Sequence, residues 1–372
     1  MDPNQFGFIP DSSTTFALIS MLHHWFKATD RTGAHVRAAL LDYKKAFELV
    51  DNNLLIAKLY SLGVKPTVVN WVADFLQNRY RVKLNFDCFS DFKPVTAGIP
   101  QGTQIGPWLF LVMINNLTTS NTPSSMWKFA DDTTVSETVP KFGASILQDT
   151  VHDVLRWSND NRFKLNSLKC KELRIDFGRE SNFDTVSLEA NGNAFEIVKS
   201  AKILGVTVRN DLKRNDHVDN ITTKGSRRIY LLKQLKHAGI DRMSLIQFYC
   251  ACICSVLEYA CQAFHSSLPA YWSYQIERVQ KRVLRILFLE VLYCKALEDG
   301  GLKTLFLRRE ELCSILFKQI VESNDQHKLA GLLPAHNDSE RYNFRTKHIF
   351  LILNVKTKRL RNTFIMHYAN KQ

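Results

Sequence analysis

Read alone, the sequence shows no zinc-type cysteine pairs, internal repeats or low-complexity tracts, and neither a membrane span nor a secretory leader is expected. Its purest apolar run, Pro107–Ile114, is far shorter than the ~20 residues a spanning helix needs. The longer stretch Phe248–Phe264 is interrupted by Glu258 and Gln262 and is expected as a buried helix, so no membrane partner is expected. The opening residues, MDPNQFGF, have neither a basic n-region nor an apolar h-region, and no secretory signal is expected. Eight cysteines are scattered without CxxC spacing. Cys250, Cys252 and Cys254 come nearest to a cluster, but only Cys250 and Cys254 would share a helical face. Small core hydrophobes in a reducing compartment are the expected reading.

What is present is a chain of 372 residues, 45% of them hydrophobic, enough for two or three packed domains and incompatible with wholesale disorder. The net charge is +13 and lopsided. Residues 1–215 hold 25 basic and 22 acidic side chains; residues 216–372 hold 24 and 14. The last 32 residues, Arg341–Gln372, carry eight Lys/Arg and no acid. A basic end of this kind fits a polyanionic partner such as nucleic acid. A solvated basic face, or a localisation signal around Lys356–Arg361, fits composition equally well.

Hydrophobic periodicity predicts a strand over Val36–Asp42, a helix over Phe47–Leu62 and another from Pro66 to about Gln77. A strand follows at Tyr80–Phe86, a breaker-rich loop at Gly98–Gly102 and a buried helix near Ile105–Leu117. Met126–Ala130 and Thr133–Glu137 flank Asp131-Asp132, which predicts a hairpin with acids at its tip. A helix over Phe142–Asn166 precedes strands at Lys171–Phe177, Phe183–Ala190, Phe195–Val198 and Lys202–Val208, with a hairpin turn at Asn191-Gly192. Beyond His217 the pattern is helical: Ile221–His237, Asp241–Phe264 and Ala270–Leu289. The chain therefore reads as α+β first and all-α afterwards, with a boundary near residue 215.

Asp42 ends an apolar strand, and Asp131-Asp132 sit between two short ones. Three carboxylates brought together repel, and a hard divalent cation with oxygen ligands relieves that repulsion. Two such ions can activate a hydroxyl nucleophile and stabilise a departing pyrophosphate. Taken alone, a paired-aspartate turn is more often simply a turn.

The neighbouring residues change that weighting. Leu-Leu-Asp42-Tyr-Lys-Lys-Ala-Phe47, Gly98-Ile-Pro-Gln-Gly102 and Phe129-Ala-Asp131-Asp132 occur in this order. The chain resembles reverse transcriptases, most closely those of non-LTR (LINE-type) retrotransposons, and these segments match the family's palm motifs A, B and C. Asn166-Ser-Leu-Lys169 resembles motif D, and Ile203-Leu-Gly205-Val206 resembles the primer-grip motif E. Gln5-Phe-Gly-Phe8 with Ser13-Thr-Thr15 looks like the segment preceding motif A, and Leu257–Cys261, Leu268-Pro269 and Gln280–Arg282 look like thumb and post-thumb helices.

The resemblance implies an α+β right-hand polymerase. Its palm, an antiparallel sheet with helices and reduced fingers, would occupy residues 1–215. An all-α thumb and basic C-terminal region would occupy 216–372. It implies RNA-directed DNA synthesis with two Mg²⁺ ions, Mn²⁺ as a substitute, an RNA template, a DNA primer and deoxynucleoside triphosphates. Asp42 and Asp131 would be the principal metal ligands and Asp132 a weaker one. The Tyr43 carbonyl would face the metal. Phe47 would be the steric gate against a ribose 2′-hydroxyl; without the motif it reads as a core residue. Gln101 and Gly102 would contact the templating base pair. Lys169 would protonate pyrophosphate, with Lys171 as its rival. Leu204, Gly205 and Val206 would hold the primer. Lys224, Arg227 and Arg228, on one face by their spacing, would line the duplex; an ordinary solvated helix face is the alternative. An intracellular location, nucleus or cytoplasm, is expected from the family.

The departures are specific. The family's upstream finger segments and N-terminal endonuclease are not in this sequence, and no CCHC knuckle ends it. Ile9 replaces a basic residue, Asn116 an aspartate and Arg214 a tryptophan of related elements. A non-catalytic nucleic-acid-binding retrotransposon remnant is the competing expectation. A group II intron maturase or telomerase is a third.

Overall fold

The computed structural model describes residues 2–30, 33–85, 88–119, 124–178, 186–323, 326–335, 350–351 and 355–371. It resolves into two compact units. The first holds residues 1–13, 36–174 and 180–198; the second holds 14–35, 175–179 and 199–372. The change of structural class expected near residue 215 thus sits within the second unit. So does the first helix, α1 (Thr14–Ala28).

The first unit is built on a five-stranded sheet. Strand β1 (His35–Leu41) is followed by α2 (Asn52–Ser61) and α3 (Pro66–Leu76). Short ribbons come next: β2 (Arg79–Arg81) pairs with β5 (Lys93–Val95), and β3 (Leu84–Asn85) with β4 (Cys88–Phe89). They replace the single strand expected at Tyr80–Phe86, whose last residue lies outside the described set. Then follow α4 (Gly106–Ile114), β6 (Ser124–Phe129), β7 (Asp132–Val139), α5 (Leu147–Asp160) and β8 (Lys171–Ile175). The hairpin β9 (Glu189–Ala190) and β10 (Asn193–Ala194) turns through Asn191 and Gly192, both at positive φ, before β11 (Glu196–Val198). Residues 183–185 of the strand expected at Phe183–Ala190 lie outside the described set.

The sheet order is β11-β8-β1-β7-β6. β6 and β7 are antiparallel, but β11 runs parallel to β8, so the sheet is mixed rather than purely antiparallel. β1 is buried along almost its whole length, as expected of an apolar central strand. Helices α2, α3, α4 and α5 bury Leu55, Val72, Phe110 and Val151 in one core with Ala39, Leu41 and Val135 of the sheet.

Two expected helices start late for a visible reason. Residues 44–49 are turns, not helix. The carbonyls of Phe47 and Val50 accept from Ile99 N and Gly98 N, 2.8 Å each, which spends that backbone on a neighbouring loop. Asp51 then caps α2 by accepting from Leu54 N at 2.9 Å. Likewise α5 begins only where the Glu137 carboxylate accepts from Ile146 N at 3.1 Å. It ends before Arg162, which has φ +58°.

Among the buried charges of this unit, Arg37, Glu172 and Lys128 are paired, while Glu137 is met by Ser145 Oγ and Ile146 N. Arg37 on β1 donates to Glu172 on β8 at 2.8 Å, and Glu172 also receives Arg174 and Leu188 N. Lys128 on β6 lies 2.5 Å from Asp2 and donates to the carbonyls of Ile114 (3.2 Å) and Leu117 (2.7 Å). Lys58 donates to Met113 O (2.6 Å) and to Asn116 Oδ1 (2.8 Å). The end of α4, which carries no basic residue of its own, thus receives two lysines from elsewhere. Burial lowers the Lys58 pKa to about 8.

In the second unit, β12 (Ser200–Ile203) and β13 (Val206–Arg209) form a hairpin where one strand was expected at Lys202–Val208. Leu204 and Gly205 make its two-residue turn, with φ +44° and +88°. Tyr259 Oη donates to Leu204 O at 2.8 Å and lies 2.9 Å from Thr14 Oγ1. A Cβ on Gly205 would stand 2.7 Å from the Tyr259 ring, so only glycine fits both the dihedral and the space.

Helix α6 (Asn215–His237) buries Val218, Ile221, Gly225, Ile229 and Leu232 on one face. The helix expected over Asp241–Phe264 is interrupted: α7 (Arg242–Phe248) passes into a π-helical segment, Tyr249–Cys254, and α8 (Ser255–Glu258) ends before Ala260 at φ +51°. By length and composition alone Arg242–Ala263 is long and apolar enough to cross a membrane. In the fold, Leu245, Tyr249, Ile253 and Leu257 lie in the core shared by α6 and α9 (Ala270–Leu287), and Glu258 receives Arg308 at 2.7 and 2.9 Å. All eight cysteines are free thiols.

Helices α10 (Tyr293–Asp299), α11 (Leu305–Glu322), α12 (Lys358–Arg361) and α13 (Phe364–Ala369) complete the unit. Ile19 of α1 joins Phe317 of α11 and Ile365 of α13 in a separate core. Asp30, just past α1, accepts from Thr357 N (2.9 Å) and Thr357 Oγ1 (2.6 Å) ahead of α12, so the basic segment near Lys356–Arg361 is docked rather than free. Replacing Arg37 by Met removes one of the two guanidinium partners of the buried Glu172 carboxylate and is expected to cost about 2 kcal/mol. Urea unfolding of the two proteins measures it.

Candidate active site

Asp42 follows β1, and β1 lies beside β7, whose first residue is Asp132. The β6–β7 register pairs Phe129 with Asp132, leaving Ala130 and Asp131 as a two-residue turn. Ala130 stands at φ +55°, a left-handed conformation that costs an ordinary residue roughly 1–2 kcal/mol.

A side chain far away in sequence supports that turn. Gln5 is buried, and its Oε1 accepts from Ala130 N (3.1 Å) and Gly7 N (2.9 Å). The segment is laced to β6: Phe6 N donates to Lys128 O (2.8 Å) and Lys128 N to Asn4 O (2.9 Å). Asp42 is held from another side. Asn166 N donates to its carbonyl (2.7 Å) and Asn166 Nδ2 to its carboxylate (3.0 Å).

The three carboxylates act on one another. Burial, then the charge of Asp42, pushes the Asp131 pKa up against a partly offsetting backbone hydrogen bond. The Asp132 pKa is raised too, by lost hydration and then by Asp131 and Asp42, although its side chain keeps exposed surface. Among the described residues no group of three His, Cys, Asp or Glu side chains is assembled to hold a metal ion as it stands. The donor set, three mutually repelling hard oxygen ligands at one strand edge, nonetheless has the chemistry a divalent cation would relieve.

The remaining expected residues are placed as follows. The Tyr43 side chain is buried, its hydroxyl 3.1 Å from Ser158 Oγ, so any contact to a ligand comes from its backbone. The half-buried Phe47 ring stacks on Phe110 at 4.1 Å and meets Phe8 edge-on at 6.1 Å. Gln101 and Gly102 are exposed; Gly102 has φ +83°, and nothing lies within 4 Å of a Cβ built there. The close approach in this loop is instead at Gly98, where a Cβ would meet Glu48 O at 2.5 Å. Lys169 is exposed, in a turn closed by its amide on Asn166 O (2.8 Å), while Lys171 sits 3.7 Å from Glu196. Asn116 accepts from Lys58 and from Trp157 Nε1 (3.2 Å).

In the second unit Leu204 and Gly205 form the turn described above, with Val206 buried behind it. Lys224, Arg227 and Arg228 are exposed on α6, but Arg228 donates to the Cys252 carbonyl of the π-helical segment. Its guanidinium is thus engaged within the protein. Arg227 joins a larger feature. An open groove between α6 and α9 is lined by Thr222, Ser226 and Arg227 on one side and by Arg278, Lys281, Arg282 and Arg285 on the other. The acid of α9, Glu277, points inward and accepts from Leu305 N (3.2 Å) and Phe306 N (3.3 Å). The i, i+3, i+4, i+7 spacing of the four α9 cations is the signal that marks this face in the sequence. Nothing local marks Gln5 or Asn166 as supports of the acids.

One aspartate at a strand end beside a paired-aspartate turn, in an α+β unit, has the layout of a polymerase palm. The chain belongs to the reverse transcriptase (RNA-dependent DNA polymerase) family, whose model matches residues 1–208. It is similar to the RNA-directed DNA polymerase from mobile element jockey of Drosophila melanogaster, 26% identical over 299 residues, covering 76% of this chain and 31% of that protein. It is also similar to the probable RNA-directed DNA polymerase from transposon BS of the same species, 23% identical over 293 residues, covering 76% and 32%. These relatives agree with the LINE-type resemblance read from the motifs. The chain spans about a third of the length of the curated relatives it matches. Among solved structures it resembles apo telomerase from Candida tropicalis, with TM-score 0.42 and 12% identity over 80% of this chain and 47% of that one. Telomerase from the same organism in complex with a TWJ fragment of telomeric RNA gives TM-score 0.40 and 11% identity over 83% and 50%.

The raised carboxyl pKa values carry a sign. A carboxylate whose folded pKa lies above its unfolded value favours folding below that range and opposes it as pH rises through the folded pKa. Without metal, Asp131→Asn is therefore expected to raise the melting temperature by about 1–3 °C at pH 7, a gain that vanishes below about pH 4. Added Mg²⁺ should stabilise the parent chain and not the variant. Calorimetry across pH and Mg²⁺ concentration checks both.

Proposed function

We propose that this chain catalyses RNA-directed DNA synthesis, extending a DNA primer on an RNA template with deoxynucleoside triphosphates. The observation that carries the reading is the mutual repulsion of Asp42, Asp131 and Asp132 at one strand edge, two of them with raised pKa values. Asp42 and Asp131, with Asp132 in a lesser role, are the side chains that would hold two Mg²⁺ ions, or Mn²⁺ in their place. Such ions supply charge neutralisation at the attacking and departing oxygens. Asn166 keeps the Asp42 carboxylate from turning away, and Gln5 holds the Ala130–Asp131 turn, so the ligands are positioned before substrate arrives.

Phe47, braced by Phe110, presents a fixed ring edge that a 2′-hydroxyl would strike. Lys169 is exposed and would donate a proton toward the pyrophosphate, whereas Lys171 lies 3.7 Å from the Glu196 carboxylate. Gln101 and Gly102 lie on an exposed loop suited to contact a templating pair, and the Leu204–Val206 turn is the proposed primer support. The α6–α9 groove, with Lys224 and Arg227, supplies sequence-blind phosphate contacts.

Primer extension with and without Mg²⁺, beside Asp131→Asn, tests the reading. Incorporation is expected in the parent and absent from the variant. Retained primer–template binding without incorporation in the parent would instead establish the binding-only remnant. Phe47→Val is expected to raise ribonucleotide relative to deoxyribonucleotide use by about tenfold or more. Replacing Arg278, Lys281 and Arg282 by Gln should flatten the salt dependence of primer–template affinity by about one unit of logarithmic slope per lost phosphate contact.

A further inference from the structure

Four lysine or arginine side chains are buried among the described residues: Arg37, Lys128, Arg214 and Arg309. Arg37 faces Glu172, Lys128 faces Asp2, and Arg309 lies in the field of Glu277 and Glu258. Arg214 differs from all three. It is 4% exposed, and among the described residues no carboxylate acts on it; burial lowers its pKa to about 10, so it stays cationic at neutral pH. Its Nη2 makes one long hydrogen bond, 3.4 Å to Ala263 O. Among the described residues its Nε and Nη1 have no hydrogen-bond partner. The Phe26 ring lies 5.7 Å away, and the nearby His217 ring is held neutral by burial and by Arg214's charge.

A buried guanidinium without a counter-charge is among the costliest arrangements a protein interior can hold. The group faces a small chamber lined by Ile19, Leu22, His23, Ser267, Thr363 and Phe364, with room for about one water-sized body. His23 brings an unpartnered buried Nδ1 to the same chamber. A water would satisfy hydrogen bonds and leave the charge uncompensated. A tetrahedral sulfate or phosphate is too large for the space.

We propose that the Arg214 chamber binds a small monatomic anion, of which chloride is the type. The anion accepts from Arg214 Nε–H and Nη1–H and supplies the missing negative charge. Because Arg214 precedes α6, and α1 and α13 close the chamber, the anion joins three segments of the second unit.

Binding to the folded state alone stabilises it in proportion to ln(1 + [L]/Kd). The whole chain is melted at constant ionic strength while gluconate is exchanged for chloride. A saturable rise in melting temperature of about 2–4 °C is expected. Bromide should reproduce it and sulfate should not. Arg214→Met keeps the stem and removes the charge, and should melt at the same temperature in both salts. If that variant does not fold, bromide soaked into crystals of the parent chain gives the second readout, an anomalous peak at the Arg214 guanidinium. A melting temperature indifferent to chloride, an equal rise in Arg214→Met, or no bromide peak overturns the proposal.

Discussion

The organising constraint of the first unit is electrostatic: three carboxylates kept at the ends of adjacent strands against their mutual repulsion. Among the described residues no cation pairs with them. Neutral hydrogen bonders restrain them instead, Asn166 on Asp42 and Gln5 behind the Ala130–Asp131 turn. A basic partner would quench the negative field that makes the site receptive to a cation. An amide fixes geometry and leaves the charge unspent. The left-handed Ala130 and the raised pKa values are two forms of the same stored cost, located where function is expected to need it.

Elsewhere the protein follows the opposite policy. Arg37 with Glu172 and Lys128 with Asp2 match buried charge at short range. Even the carbonyl end of α4 is met by lysines from β6 and α2. Against that background the unopposed acids of the palm and the unopposed Arg214 stand out as departures with chemical meaning.

Much of the palm was legible in the sequence because catalysis constrains residue type at short spacing. The Asp42 strand, the Asp131-Asp132 hairpin, the Asn191-Gly192 turn and the Pro66 helix start all announce themselves locally. What stayed hidden depends on remote partners. Residues Phe47–Val50 have helical spacing, yet the carbonyls of Phe47 and Val50 are taken by Ile99 and Gly98. Lys202–Val208 alternates like one strand, and Leu204 lacks the signature of a hairpin turn. The Tyr259 hydroxyl on its carbonyl comes from 55 residues away. Gln5 and Asn166 become positioning residues only when the fold brings them to the acids. The membership of α1 in the second unit rests on partners near the other end of the chain.

That last feature has a consequence for synthesis. Helix α1 leaves the ribosome long before α11 and α13, whose apolar residues share a core with it. At about 5–20 residues per second, Ile19 and its neighbours wait on the order of 15–60 s before Phe317 emerges. Through that interval an apolar helix stands without its native cover, a natural point of engagement for a chaperone on the nascent chain.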